Sequence, residues 1–300
     1  MLFEEFSMLI PRTVVRPALY VLSCVSLIAA TSCAHSPKQP SSTFDLEAGK
    51  LIVPVTINGK KLRFMLDTGD KSDGSICSEH VSALNLTEIP GKAVRVGGWG
   101  GNKKEWPLRH FYSAHEVKIG TSSFQQVELI EEQSCSSNFD GVIGIGTLKQ
   151  RRTLIDYVSH QISFPDHEVT LTYSVPFVFQ NESDILVTAK IEQADASNFL
   201  LDTGASLNHI SKELGVQLGL KTIAGKSVEI RDLLGNSEQT SFLSANNFCL
   251  GALCRRNVEL VAGQFHQNRK SYKRSGILGT PFLDGHRWLI DFSKKVLFYE

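Results

Sequence analysis

The chain has 300 residues, with 31 basic and 31 acidic side chains and a formal net charge of zero. Apolar and charged shares of 42% and 21% are those of a globular protein, which excludes a disordered or collagen-like chain. Balanced charge gives no electrostatic case for a nucleic-acid partner, and the length allows one large domain or two medium ones.

Arg12 and Arg16 precede an apolar stretch from Pro17 to Ala30 that is short for a membrane span. A positive segment followed by such a stretch reads as a targeting leader. It ends in Ala30-Thr31-Ser32-Cys33, and small residues directly before a cysteine resemble the lipobox of bacterial lipoproteins. That resemblance implies cleavage before Cys33, lipidation of Cys33, and a periplasm-facing lipoprotein of the inner or outer membrane of a bacterial envelope. A plain secretory signal cut near the same place is the other reading. Residues 1–33 are therefore expected to be a signal peptide, and residues 34–45, with Pro37, Pro40 and several serines, a tether.

From Leu46 the pattern becomes short apolar or alternating runs separated by turns. Residues 51–57 and 62–66 flank Asn58-Gly59, which predicts a hairpin. The second run ends in Phe64-Met65-Leu66 and leads straight into Asp67-Thr68-Gly69. A carboxylate at the end of a buried strand is costly unless something uses it. A short helix is predicted over residues 78–84. Gly97, Gly98, Trp99, Gly100 and Gly101 follow, four glycines around one large side chain; alone, this is also an ordinary flexible loop. A second hairpin is predicted where Val117-Lys118-Ile119-Gly120 meets Val127-Glu128-Leu129-Ile130. Between Phe164 and Ile185 the pattern is interrupted by Pro165, Pro176 and Asn181.

The pattern then repeats. Phe199-Leu200-Leu201 leads into Asp202-Thr203-Gly204, and a helix is predicted over residues 212–218. Asp-Thr-Gly by itself is an ordinary turn sequence. The wider spacing makes it more than that. Gly141-Val142-Ile143-Gly144 begins 74 residues after Asp67, and Gly276-Ile277-Leu278-Gly279 begins 74 residues after Asp202. Leu154-Ile155-Asp156-Tyr157 and Leu289-Ile290-Asp291-Phe292 lie 135 residues apart, the same shift that relates the two Asp triplets. The chain holds an internal repeat.

These residues resemble the aspartic proteases over residues 46–300. Leu201-Asp202-Thr203-Gly204-Ala205-Ser206 looks like the retroviral form, while two lobes in one chain are similar to pepsin-like enzymes. The resemblance implies an all-β fold of two related β-barrel-like lobes with a few short helices, residues 46–170 forming one and 180–300 the other. It implies an aspartic endopeptidase in which Asp67 and Asp202 share one proton and activate water. Thr68, Gly69, Thr203 and Gly204 would support the dyad, the threonines by hydrogen bonds between lobes. The later glycine motifs would pack behind the Asp turns. Residues 97–101 would form a flap, with Trp99 on the substrate and Trp106 at the flap base. A peptide or protein substrate is expected, with no cofactor, no metal and a monomeric state. The alternative is a catalytically silent peptide-binding lipoprotein on the same fold.

Two features depart from the family pattern. Ala205 follows the second triplet, but Asp70 follows the first. Pointing inward, Asp70 would raise the proton affinity of the dyad; otherwise it turns outward with Lys71. The second is the absence of a clear Tyr at the flap position used by pepsin-like enzymes; the flaps are also unequal, since Asp232-Leu233-Leu234-Gly235-Asn236 has a single glycine. Besides Cys24 and Cys33, four cysteines remain, and three pairings are possible. Cys249 and Cys254 flank a hairpin and make a local pair, which leaves Cys77 with Cys135. Arg255, Arg256, Arg269, Lys270, Lys273 and Arg274 read as a solvated basic loop.

Overall fold

The computed structural model describes residues 41–96, 106–133, 135, 138–231, 237–263 and 274–300. The leader, Cys33 and the glycine-rich segment with Gly97, Gly98, Trp99, Gly100 and Gly101 lie outside the described residues, as do residues 232–236.

Strands β1 (Ser41–Thr43) and β2 (Asp45–Glu47) lead into the hairpin of β3 (Lys50–Ile57) and β4 (Lys60–Leu66). Asn58 and Gly59 both take positive φ, 48° and 82°, which matches the twist of a two-residue hairpin turn. After the first Asp turn come β5 (Gly74–Cys77), α1 (Ser78–Ala83), β6 (Thr87–Arg95), β7 (Leu108–Ile119) and β8 (Ser122–Glu132). The first lobe continues with β9 (Gly141–Ile143), α2 (Ile145–Leu148), β10 (Thr153–Asp156) and β11 (Gln161–Ser163).

The second lobe repeats this. It runs β12 (Tyr173–Pro176), β13 (Val178–Gln180), β14 (Asp184–Ile191), β15 (Ala194–Leu201), β16 (His209–Ser211), α3 (Lys212–Gln217), β17 (Lys221–Arg231), β18 (Ser237–Leu250) and β19 (Leu253–Gly263). It ends with β20 (Gly276–Leu278), α4 (Thr280–Leu283), β21 (Arg287–Asp291) and β22 (Val296–Tyr299). The structure is an all-β fold of two related lobes, as expected. Each lobe has an eight-stranded sheet, ordered β2-β3-β4-β9-β5-β8-β7-β6 in one and β13-β14-β15-β20-β16-β19-β18-β17 in the other.

In both sheets a short glycine-led strand is inserted between two others. β9 runs parallel to β4 and antiparallel to β5, and β20 runs parallel to β15 and antiparallel to β16. A side chain at Gly141 would stand 2.3 Å from the carbonyl of Ser75, so the insertion closes only around glycine. The inserted strand fixes the Asp turns: the amide of Asp67 donates to Ile143 at 2.9 Å, and that of Asp202 to Leu278 at 3.0 Å.

A third sheet joins the lobes. Its order is β1-β11-β10-β21-β22-β12, with Leu154 opposite Leu289 across the join. One apolar cluster includes Leu51, Phe64 and Ile143 of the first lobe and Phe199, Phe282 and Tyr299 of the second. Each such buried side chain stabilises the fold by roughly 1.5–3 kcal/mol. Both lobes fall in one compact unit starting at Gln39.

Two boundaries differ from the sequence reading. The tether predicted over 34–45 gives way to strand at Ser41, which pairs with Ser163, and Phe44 is buried against Tyr157 and His160. Polar composition hid a strand whose partner lies far along the chain. The gap left between 170 and 180 also holds β12, paired with β22. Disulfides join Cys77 to Cys135 and Cys249 to Cys254.

Candidate active site

Asp67 and Asp202 follow β4 and β15, and both carboxyls reach the same point between the lobes, close enough that each shifts the other's proton affinity. The packing is reciprocal. A side chain at Gly69 would stand 2.5 Å from Asp202 Oδ2, and one at Gly204 would stand 2.4 Å from Asp67 Cγ. Each lobe therefore presents a bare backbone to the other lobe's carboxyl. The carboxyls also accept from their own turns: Gly69 N–H donates to Asp67 Oδ1 at 2.7 Å, and Gly204 N–H to Asp202 Oδ1 at 2.9 Å.

The threonines between them are fully buried and lock the two turns together. Thr68 Oγ1 donates to the carbonyl of Leu201 at 2.8 Å, and Thr203 Oγ1 to that of Leu66 at 2.8 Å. Each hydroxyl in turn accepts the other threonine's amide at 3.1 Å. Both buried hydroxyls and both buried amides are thus partnered, which is what burial requires.

Burial raises both carboxyls above the ordinary value of 3.8, because charge is poorly solvated between the lobes. For Asp67 the charge and hydrogen bond of Asp202 add to this, and the amides of Gly69 and Asp70 pull back less. For Asp202 the hydrogen bond from Asp67, the Gly204 amide, the Arg274 charge and the Ala205 amide all pull back. Two such groups in contact hold one proton between them over a range of pH.

Asp70 does not turn outward with Lys71. Its Oδ1 accepts from the amide of Ser72 at 2.9 Å and from its hydroxyl at 2.8 Å. Burial raises its proton affinity, the Ser72 amide pulls back less, and the charge of Asp67 adds to the rise. Asp73 is directed elsewhere, with Oδ2 accepting from Glu128 N at 3.0 Å. Lys71 instead meets Asp184 at 2.5 Å. Asp184, the first residue of β14, is 1% exposed and also holds Arg274 at 2.9 Å.

The sequence reading missed this triad. The signal was present: Asp184 heads an apolar run much as Asp67 ends one. Arg274 was read as part of a solvated loop, as was Arg255, which donates Nε to the carbonyl of Phe282 at 3.0 Å. Both are structural anchors. Trp106 sits at the foot of the β6–β7 hairpin, where its carbonyl accepts from Arg95 at 2.6 Å. Among the described residues no group of three or more His, Cys, Asp or Glu is placed to hold a metal ion.

A family model described as aspartyl protease matches residues 53–147 and 187–282, so it matches twice, once per lobe. No curated protein matches the chain. Among solved structures, an aspartic proteinase from Irpex lacteus is similar in fold, with a TM-score of 0.51 at 12% identity, over 86% of this chain and 96% of that one.

Proposed function

The chain belongs to the aspartyl protease family, and we propose on that premise that it is an aspartic endopeptidase acting through Asp67 and Asp202. The observation that carries this is the facing pair of half-buried carboxyls, each backed by a glycine of the opposite lobe. With one proton on the pair, the ionised carboxylate accepts a proton from a water placed between them. The protonated carboxyl donates to the scissile carbonyl. The water oxygen bonds to the carbonyl carbon and gives a gem-diol. On collapse the C–N bond breaks, the carboxyl that took the water proton gives it to the leaving amine, and the other carboxylate takes a proton back from a gem-diol hydroxyl, which restores the pair. No acyl-enzyme forms. The backbone amides at the turns and the threonine lock hold the geometry during these transfers, so little reorganisation is needed.

The substrate is an extended peptide segment, by likeness to what the fold accommodates. One chain supplies both halves of the site, so a monomer suffices. The reading extends to a bacterial envelope with a lipid anchor at Cys33, supported by the leader-like composition of residues 12–30 and the lipobox-like residues 30–33; metabolic labelling with an alkyne fatty acid, abolished by Cys33→Ala, tests this. The activity is tested with a peptide library profiled by mass spectrometry from pH 3 to 8, alongside Asp67→Asn and Asp202→Asn. Cleavage that vanishes in both variants supports the reading. A flat profile at every pH overturns it and leaves a peptide-binding protein.

A further inference from the structure

The two half-sites are related by the repeat, but what ties each to the opposite lobe is not. β3 and β14 are related by 134 positions, because Ile57 opposite Lys60 corresponds to Ile191 opposite Ala194. Asp184 therefore corresponds to Lys50, and Lys71 corresponds to Ser206, 135 positions on. At the first place an anion sits between two cations. At the second, Lys50 lies over the ring of Phe139, 5.6 Å from its centre, and Gly49 packs on Ser206.

Asp184 uses its two oxygens in different directions. Oδ2 meets Nζ of Lys71 at 2.5 Å, and Oδ1 meets Nη2 of Arg274 at 2.9 Å. Lys71 lies four residues after Asp67, in a loop already held within its own lobe. There the amides of Ile145, Gly146 and Gly144 donate to the carbonyls of Asp70, Ser72 and Asp73. Arg274 lies four residues before Leu278, whose carbonyl receives the amide of Asp202. One carboxylate thus spans from the loop behind the first half-site to the strand behind the second. At 1% exposure it has no solvent to fall back on, so its two charged partners fix its place. Hydrogen bonds between ionised groups are short and directional, which suits such a link to a positioning task.

We infer that Asp184 is a positioning residue for peptide cleavage: through Lys71 and Arg274 it joins the loop after Asp67 to the strand that holds Asp202, and so sets where the two carboxyls stand relative to each other. The role in cleavage rests on the peptidase reading; the link itself does not. The hairpin that carries Asp184 meets the first lobe at one further point, where Lys149 donates to the carbonyl of Glu182 at 3.3 Å. That contact is exposed and reaches neither Asp turn, so it serves as the control.

The test measures kcat and KM separately on the full-length protein, with one cleaved peptide taken from the library profile. Asp184→Asn is expected to lower kcat by roughly 10–10²-fold, as small misplacements do. KM should change less than about twofold, because a side chain buried to this degree does not meet the substrate. Lys71→Met and Arg274→Met each cut one end of the link and are expected to lower kcat to a similar degree. Either one added to Asp184→Asn is expected to have no further effect on kcat, since the three act in series. Lys71→Arg is expected to restore kcat where Lys71→Met does not; a loss of fold stability alone would follow neither pattern. Lys149→Gln is expected to leave kcat unchanged. A kcat for folded Asp184→Asn within about twofold of the unmodified protein overturns the inference, as do effects that simply add. If Asp184→Asn does not fold, Lys71→Met decides, because it leaves Asp184 paired with Arg274. Amide hydrogen exchange by NMR on the same samples needs no activity. The Gly69 and Asp70 amides are expected to exchange about tenfold faster or more in Lys71→Met. Faster exchange without cleavage of any peptide defeats the peptidase reading only; cleavage with exchange and kcat both unmoved defeats this inference only.

Discussion

The two Asp turns share a backbone but not an environment. Both are closed by the same amide contacts and the same threonine exchange, with matching distances on the two sides. Beyond the third residue they part. The first turn continues into Asp70, Lys71 and Ser72 and is tied to the second lobe through a buried ion triad. The second continues into Ala205 and Ser206 and rests against Gly49. The lesson is that the reacting atoms demand symmetry, because one proton must be held by two equivalent groups. The contacts that differ lie a layer further out, where the repeat was free to diverge.

The sharpest test of the symmetric layer is Asp67→Asn against Asp202→Asn. Both are expected to lower kcat/KM by about 10²–10⁴-fold or more in a peptide assay, since either removes half of the acid–base pair. A large difference between them would break the equivalence. The asymmetric layer gives the next largest effect. Asp184→Ala leaves Lys71 and Arg274 without their shared anion and is expected to cost about 3–5 kcal/mol by urea unfolding. Lys50→Ala, at the corresponding place, loses a cation–π contact and should cost about 1 kcal/mol or less. Equal costs would mean that the triad is not the distinguishing tie.

The threonines return to symmetry. Thr68→Val and Thr203→Val each leave a buried amide and a buried carbonyl unmade, and each is expected to destabilise by about 1–3 kcal/mol on denaturant unfolding. The two costs should agree closely. Smaller still is a pH effect on stability. Because burial raises both dyad carboxyls, their stabilising contribution is fully present below the ordinary value near 3.8 and is lost as pH rises through the raised folded values. Asp67→Asn should therefore raise the Tm by a few degrees at neutral pH and leave it nearly unchanged at pH 3, by scanning calorimetry. The least effect is expected from Asp70→Asn. Removing that charge lowers the proton affinity of Asp67, so the upper limb of the pH–rate profile should move to lower pH.

Much of this architecture was legible in the sequence because its signals are local or periodic. Asn58-Gly59 names its turn, and the 74-residue spacing marks the two glycine motifs as equivalent without any structure. The disulfides followed from a hairpin and elimination. What escaped depends on contacts between distant segments. β1 is three polar residues that become a strand only because Ser163 waits 122 positions on. α2 and α4 are four residues each, too short to show a helical period. The triad joins positions 71, 184 and 274, and no window along the chain contains two of them. Asp70 was weighed as inward or outward with Lys71. The structure has it bonded back to Ser72, a choice fixed by a hydroxyl two residues on.

The sheet that hydrogen-bonds β10 to β21 is a second seam between the lobes, separate from the threonine seam at the turns. A jaw opens about a free axis, and each bonded seam resists such an opening. The gap between Asp67 and Asp202 is therefore gauged when the chain folds, not when a peptide arrives. On the proposed reading, a peptide meets a site whose width is set by the two seams.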